Sequence, residues 1–146
     1  MFRGQYEHTI DPKGRVSIPS KFREILSAKG DGRLVITHFD NHLMAYPFDE
    51  WRIFEEKMAA LPSTNDEVAS FIRYLVAGAV DCEVDKQGRV LIPPPLRESG
   101  GLTSEVVLAG ALKKFEIWDK GRWFDERKKT LENFGSIKGA LAGLGL

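Results

Sequence analysis

The stretch from Tyr6 to Glu24, YEHTIDPKGRVSIPSKFRE, returns as VDCEVDKQGRVLIPPPLRE between Val80 and Glu98. A shift of 74 positions lays Asp11 on Asp85, Gly14 on Gly88, Arg15 on Arg89, Val16 on Val90, Ile18 on Ile92, Pro19 on Pro93 and Arg23 on Arg97. A chain that carries one short unit twice is expected to fold as two related halves. At 146 residues, each half is too small to be more than marginally stable alone, so the halves are expected to share a core.

The pattern inside each copy is a turn between strands. Gln5–Ile10 and Val16–Ile18 read as strands, with β-branched residues on alternate positions. Between them, Asp11-Pro12-Lys13-Gly14 suits a type I turn, with Asp first, Pro second and Gly fourth. Asp85-Lys86-Gln87-Gly88 keeps the Asp and the Gly. The expectation is two hairpin-like arms, each with an Arg at its outgoing strand. Ser20 is placed to cap a helix over 21–26, and Pro93-Pro94-Pro95 fixes the equivalent exit.

Two further strand pairs follow, Leu34–Thr37 with Val106–Ala109 and Leu43–Tyr46 with Phe115–Trp118, now related by 72 positions. Helical patterns follow over 48–61 and 119–134, the first with Trp51, Phe54, Met58 and Leu61 on one side, the second with Trp123, Arg127, Leu131 and Phe134. Asn65 and Glu67 mark the start of a helix striped by Val68, Phe71, Ile72, Leu75, Val76 and Ala79. The divisions are 5–51 for the first repeat, 52–79 for a helical connector, 80–123 for the second repeat and 124–146 for a C-terminal helix and tail.

Several function classes lack their residues. No apolar run approaches the roughly 20 residues of a membrane span, and MFRGQYEHTI has no secretory h-region. A lone Cys82 excludes an intrachain disulfide framework and fits a reducing cytoplasm. His38 and His42 flank a loop without a CxxC or HExxH, so neither a metal nor another cofactor is expected; His8 and Cys82 fall at equivalent positions and read as strand-face filling. GxSxG, Walker A and GxGxxG are missing, and no carboxylate pair is singled out, so neither catalysis nor a small-molecule substrate is expected. Trp51, Trp123, Tyr46 and Trp118 read as core rather than as base-stacking platforms.

The net charge is zero, but it is unevenly spread. Residues 1–33 carry seven basic side chains against four acidic ones, whereas 34–80 carry three against seven. The basic excess therefore travels with the first turn. Guanidinium groups on a narrow two-stranded element suit phosphate and the guanine edge in a major groove. The candidate DNA-contacting residues are Lys13, Arg15, Arg89, Lys86 and Arg3, and the turn-forming residues are Asp11, Gly14, Asp85 and Gly88. The same spacing equally permits Arg15 and Arg89 to fold back on Asp11 and Asp85 and brace the turns.

At MFRG, DPKGRVSIP, YPFDEW, DKQGRVLIP and KFEIWD, the chain resembles the MraZ family of bacterial transcriptional regulators. The resemblance implies an α+β, β-rich fold of SpoVT-AbrB type: a swapped-hairpin barrel built by two pseudo-symmetric repeats in one chain, with flanking helices. It also implies a cytoplasmic, nucleoid-associated, ring-like homo-oligomer that binds double-stranded DNA at short direct repeats upstream of the division and cell-wall gene cluster. The family's DNA-contacting Lys and Arg fall on Lys13 and Arg15; Arg89 matches in the second turn, where Gln87 replaces the Lys. The alternative is a ring-forming interaction scaffold that binds DNA only incidentally.

Overall fold

A computed structural model describes residues 1–146. Its elements follow the repeat: β1 (Gln5–Thr9), β2 (Arg15–Ser17), α1 (Ser20–Ala28), β3 (Arg33–Phe39), β4 (His42–Pro47) and α2 (Phe48–Ala59). After α3 (Asp66–Ala77), the series recurs as β5 (Val80–Glu83), β6 (Arg89–Leu91), α4 (Pro94–Ser99), β7 (Glu105–Ala111), β8 (Lys114–Asp119) and α5 (Lys120–Glu132), and α6 (Phe134–Ala142) ends the chain.

The class is α+β, with antiparallel pairing throughout and six helices. Hydrogen bonding divides the strands into a six-stranded sheet, β1-β7-β8-β4-β3-β5, and a separate two-stranded ribbon, β2-β6. It does not join all eight into one closed barrel. Strands are nevertheless exchanged between the halves: β1 of the first repeat pairs with β7 of the second, and β5 of the second pairs with β3 of the first. At the centre β4 meets β8, with Leu43 opposite Ile117 and Ala45 opposite Phe115.

The two-residue period of the strands sorts side chains between two cores. Leu34 and Ile36, Leu43 and Ala45, Val106 and Leu108, and Phe115 and Ile117 face the larger core, which Val16, Val90, Phe22 and Leu96 close from the ribbon, α1 and α4. Val35, Met44 and Tyr46 face the other way, onto Trp51 and Met58 of α2 and Leu75 of α3. Phe2, Phe22 and Phe115 meet at 5.0–5.4 Å between ring centres, in edge-on and tilted arrangements.

Three local expectations change. The β1–turn–β2 arm is not an independent hairpin: apart from a single bridge from Ile10 to Val16, β2 takes its ladder from β6. Ser20 is inside α1, whose cap position is Pro19 and carries no side-chain cap bond, whereas Asn65 does cap α3 by accepting from the Glu67 and Val68 amides. The stripe expected on the last long helix buries nothing: α5 and α6 hold no buried residue, and Leu131 is 65% exposed. Asn133 separates these two helices, so the pattern expected to run as one helix to Phe134 is broken there.

Candidate nucleic-acid interface

Each repeated turn is built by its own Asp. The Gly14 amide donates to the Asp11 carbonyl at 2.9 Å, and the Gly88 amide to the Asp85 carbonyl at 3.0 Å. Asp11 Oδ1 accepts from the Lys13 and Arg15 amides at 3.0 and 2.9 Å, and Oδ2 accepts from Arg15 Nε at 2.6 Å. Asp85 repeats this with Gln87 and Arg89, at 2.9, 2.9 and 3.2 Å. Stabilisation of the charged carboxylate, chiefly by the Arg15 amide in one turn and the Arg89 amide in the other, holds both Asp side chains below the usual carboxylate range.

The two turns then lock together across the ribbon. Ile92 donates to the Gly14 carbonyl at 2.9 Å, and Ile18 to the Gly88 carbonyl at 2.8 Å. Between these bonds, Arg15 lies opposite Leu91, Val16 opposite Val90 and Ser17 opposite Arg89. Val16 and Val90 point into the core, so strand alternation puts Arg15, Ser17, Arg89 and Leu91 together on the outer face. Arg15 and Arg89 thus stand diagonally on one surface, related by the same approximate two-fold that relates the repeats.

Bracing and availability coexist on the same side chain. Each guanidinium spends its Nε on the turn Asp, and neither makes a hydrogen bond through its terminal Nη atoms. Those atoms form the edge that pairs bidentately with phosphate or guanine. The Arg15 and Arg89 side chains remain 32% and 28% exposed, enough for contact from outside. Lys13 and Lys86 are exposed in the turns and form no ion pair.

Arg3 is placed elsewhere. It lies between the Phe2–Leu112 bridge and the bond from the Gly110 amide to the Gly4 carbonyl, at the opposite end of β1 from the turn. The five extended residues of β1 lie between Arg3 and the turn, about 17 Å of strand. The structure therefore places Arg15 and Arg89 on one face of the ribbon, Lys13 and Lys86 in the turns at its two ends, and Arg3 apart from them.

Two residues at the turns were matched in the repeat but not assigned to the site. A Cβ on Gly14 would sit 2.8 Å from Arg97 Cζ, and one on Gly88 2.6 Å from an Arg23 terminal nitrogen. Each helix thus lays its Arg against the turn of the other repeat. The available signal was the repeat itself, since a two-fold that pairs β2 with β6 also crosses α1 and α4 to the opposite turns.

Outside this face, no group of three or more potential metal-ligating side chains converges, and no helix is long and apolar enough to cross a membrane. Cys82 is buried in the larger core, while His8, its repeat equivalent, contacts the Ser17 carbonyl at 2.6 Å. Trp51, Tyr46 and Trp118 are buried; Trp123 is only half-buried.

Comparison with known proteins gives one answer. The family described as "MraZ protein, putative antitoxin-like" matches twice in tandem, over residues 1–73 and 75–138. The "Transcriptional regulator MraZ" of Desulfitobacterium hafniense is 42% identical over 146 residues, covering all of both chains. That of Pediococcus pentosaceus is 45% identical over 147 aligned positions, again covering both chains fully. That of Caldanaerobacter subterraneus subsp. tengcongensis is 49% identical over 138 residues, 94% of each chain. With both repeats matched by the family and relatives aligned across the full length, the chain belongs to the MraZ family.

Proposed function

We propose that this protein is a sequence-specific DNA-binding regulator of transcription, which acts as a homo-oligomer on short direct repeats upstream of the division and cell-wall gene cluster. The observation that carries the reading is the outer face of the β2–β6 ribbon, where Arg15 and Arg89 are each held through Nε while their Nη edges stay unbonded. A two-stranded ribbon is narrow enough to enter a major groove. The names of the full-length relatives point to the same activity.

Self-association compensates for a modest charge. Each turn, from its Asp to its Arg, carries two cations and one carboxylate, and the chain as a whole is neutral. One ribbon supplies few phosphate contacts and hence weak binding at physiological salt. Several linked ribbons on evenly spaced boxes gain about 10²–10⁴ in avidity without any new contact. Ile53, Phe124, Leu131 and Phe134 are each at least 41% exposed on α2, α5 and α6, apolar surface that a second copy would cover.

The test is footprinting and anisotropy on the DNA upstream of the protein's own gene. Arg15→Ala is expected to abolish protection while leaving the fold and oligomer size unchanged. Arg89→Ala is expected to weaken binding less, because Gln87 stands where Lys13 does in the first turn. Undiminished binding by Arg15→Ala, or salt-insensitive or sequence-blind binding by the wild type, would remove the reading in favour of a scaffold.

A further inference from the structure

We infer that Leu91 is a specificity-determining residue of the ribbon, whose methyl groups pack on the 5-methyl group of a thymine next to the base that Arg15 contacts. The inference rests on the DNA-binding reading above and names one base that the box must contain.

Leu91 is 54% exposed on β6, between Val90 and Ile92, which are both buried. It takes no part in the larger core and stands on the outer face with Arg15, Ser17 and Arg89. A single exposed leucine is ordinary on a protein surface. This one is set apart by the other repeat, where the equivalent position is Ser17, exposed on the same face. The strands otherwise match, Arg15-Val16 against Arg89-Val90, so the ribbon folds with either residue at this place and packing does not demand the leucine.

The register puts Leu91 beside Arg15. The bonds from Ile92 to Gly14 and from Ile18 to Gly88 fix the alternation of the ladder, so Arg15–Leu91 and Ser17–Arg89 are its non-hydrogen-bonded pairs. Side chains approach most closely in such pairs, with Cβ atoms about 4.5–5.5 Å apart. Successive bases along a strand are about 3.4 Å apart, so an Arg15 Nη edge on guanine brings Leu91 over a neighbouring base pair. In the major groove only thymine presents a methyl group, the apolar point that a leucine covers.

On the other half of the ribbon, Ser17 engages His8 through its carbonyl and offers its hydroxyl outward, a group that donates to or accepts from any base edge. The two halves are therefore unlike: guanidinium with leucine on one, guanidinium with hydroxyl on the other. That difference gives an approximately two-fold ribbon a direction on the duplex. Direct repeats require such a direction, whereas identical halves would bind a box equally well either way round.

The experiment is a double-mutant cycle between protein and DNA, read by fluorescence anisotropy at fixed salt on the footprinted promoter duplex. Each thymine position of the box is replaced in turn by deoxyuridine, which lacks only the 5-methyl group, and wild type is compared with L91S, in which both halves of the ribbon present serine. At one position uracil weakens wild-type binding about fourfold per engaged box, the equivalent of one CH₂ group left uncovered. L91S binds the thymine and uracil duplexes equally at that position, and keeps the wild-type salt slope because no phosphate contact is lost. L91A takes its place in the cycle should L91S fail to assemble. A box without thymine, or uracil that leaves wild type unchanged at every position, overturns the inference. So does a variant that loses as much as wild type on uracil, since another residue then reads the methyl group. Should wild type not prefer the promoter to a scrambled duplex, the DNA-binding reading itself fails; should it keep that preference and lose nothing on uracil, this inference alone does.

Discussion

Replacing Gly14 by Ala tests the turn geometry more sharply than replacing either Arg. Gly14 has φ +91°, a conformation that costs a residue bearing a Cβ about 1–3 kcal/mol. The added Cβ would also lie 2.8 Å from Arg97 Cζ and 3.1 Å from the Ile92 carbonyl oxygen. Arg97 can swing aside, but the Ile92 carbonyl belongs to the backbone whose amide donates to the Gly14 carbonyl at 2.9 Å. Relief by movement there strains or breaks a bond worth about 0.5–1.5 kcal/mol. The expected loss is therefore about 2–4 kcal/mol. Gly88→Ala provides the internal control, since φ is +79° but the three nearest obstacles are all Arg23 side-chain atoms. With only the conformational strain to bear, it should lose about 1–3 kcal/mol. Equilibrium urea unfolding at one fixed protein concentration measures both, because oligomerisation makes apparent stability concentration-dependent. A Gly14→Ala loss below about 0.5 kcal/mol, or one smaller than that of Gly88→Ala, would show that the repeated turns are not held as described.

Other consequences are accessible to simpler measurements. Asp11 and Asp85 have folded-state pKa values below their ordinary 3.8, so their contribution to stability is present above 3.8 and is lost as pH falls through the lowered folded values. Carboxyl titration followed by NMR should place both midpoints below 3.8, and Asp11→Asn should flatten the acid limb of the stability curve; midpoints at or above 3.8 would contradict the turn geometry. Burial, with a smaller contribution from Asp81, pushes the Cys82 thiol up to about 11. A disulfide reagent at pH 8 should therefore leave Cys82 unmodified in the native protein and label it fully in denaturant, whereas rapid native labelling would place it outside the core.

Much of the architecture was legible because the repeat supplies two readings of every element. The strands at Leu34–Thr37, Leu43–Tyr46 and their partners were visible in alternation, and Asn65 announced α3 through its amide-accepting side chain. Strand partnership was less accessible. Within one copy, β1 and β2 are joined by a short turn and read as a hairpin, a local preference overridden by the two-fold pairing of Val16 with Val90. The α5 stripe misled for another reason: a 3.6-residue period says which face is apolar, not whether this chain covers it. Arg3 was grouped with the turns through proximity in sequence, yet the length of β1 carries it to the far end of the sheet.

On the proposed reading, bracing and DNA contact are compatible roles for the arginines of the ribbon. Bracing alone needs only Nε, and each turn Asp engages just that atom; the two amide bonds to the same carboxylate already define the turn. Fixing Nε then does for recognition what a rigid scaffold does, because an Arg held by its own Asp loses less side-chain freedom when its Nη edge meets a base or phosphate. The shorter contact in the first turn, 2.6 Å against 3.2 Å in the second, makes Arg15 the more firmly presented of the two. Both turns carry one Lys and one Arg, so their difference lies less in charge than in this presentation and in the place of the lysine. An Asp11→Asn variant separates the two roles: the amide keeps an acceptor for the backbone but loses the charge-assisted hold on Nε. It should keep the fold at neutral pH and weaken promoter binding, though less than Arg15→Ala does. If Asp11→Asn instead bound more tightly, through relief of a nearby negative charge, the carboxylate would be acting as a competitor for Arg15, not its support.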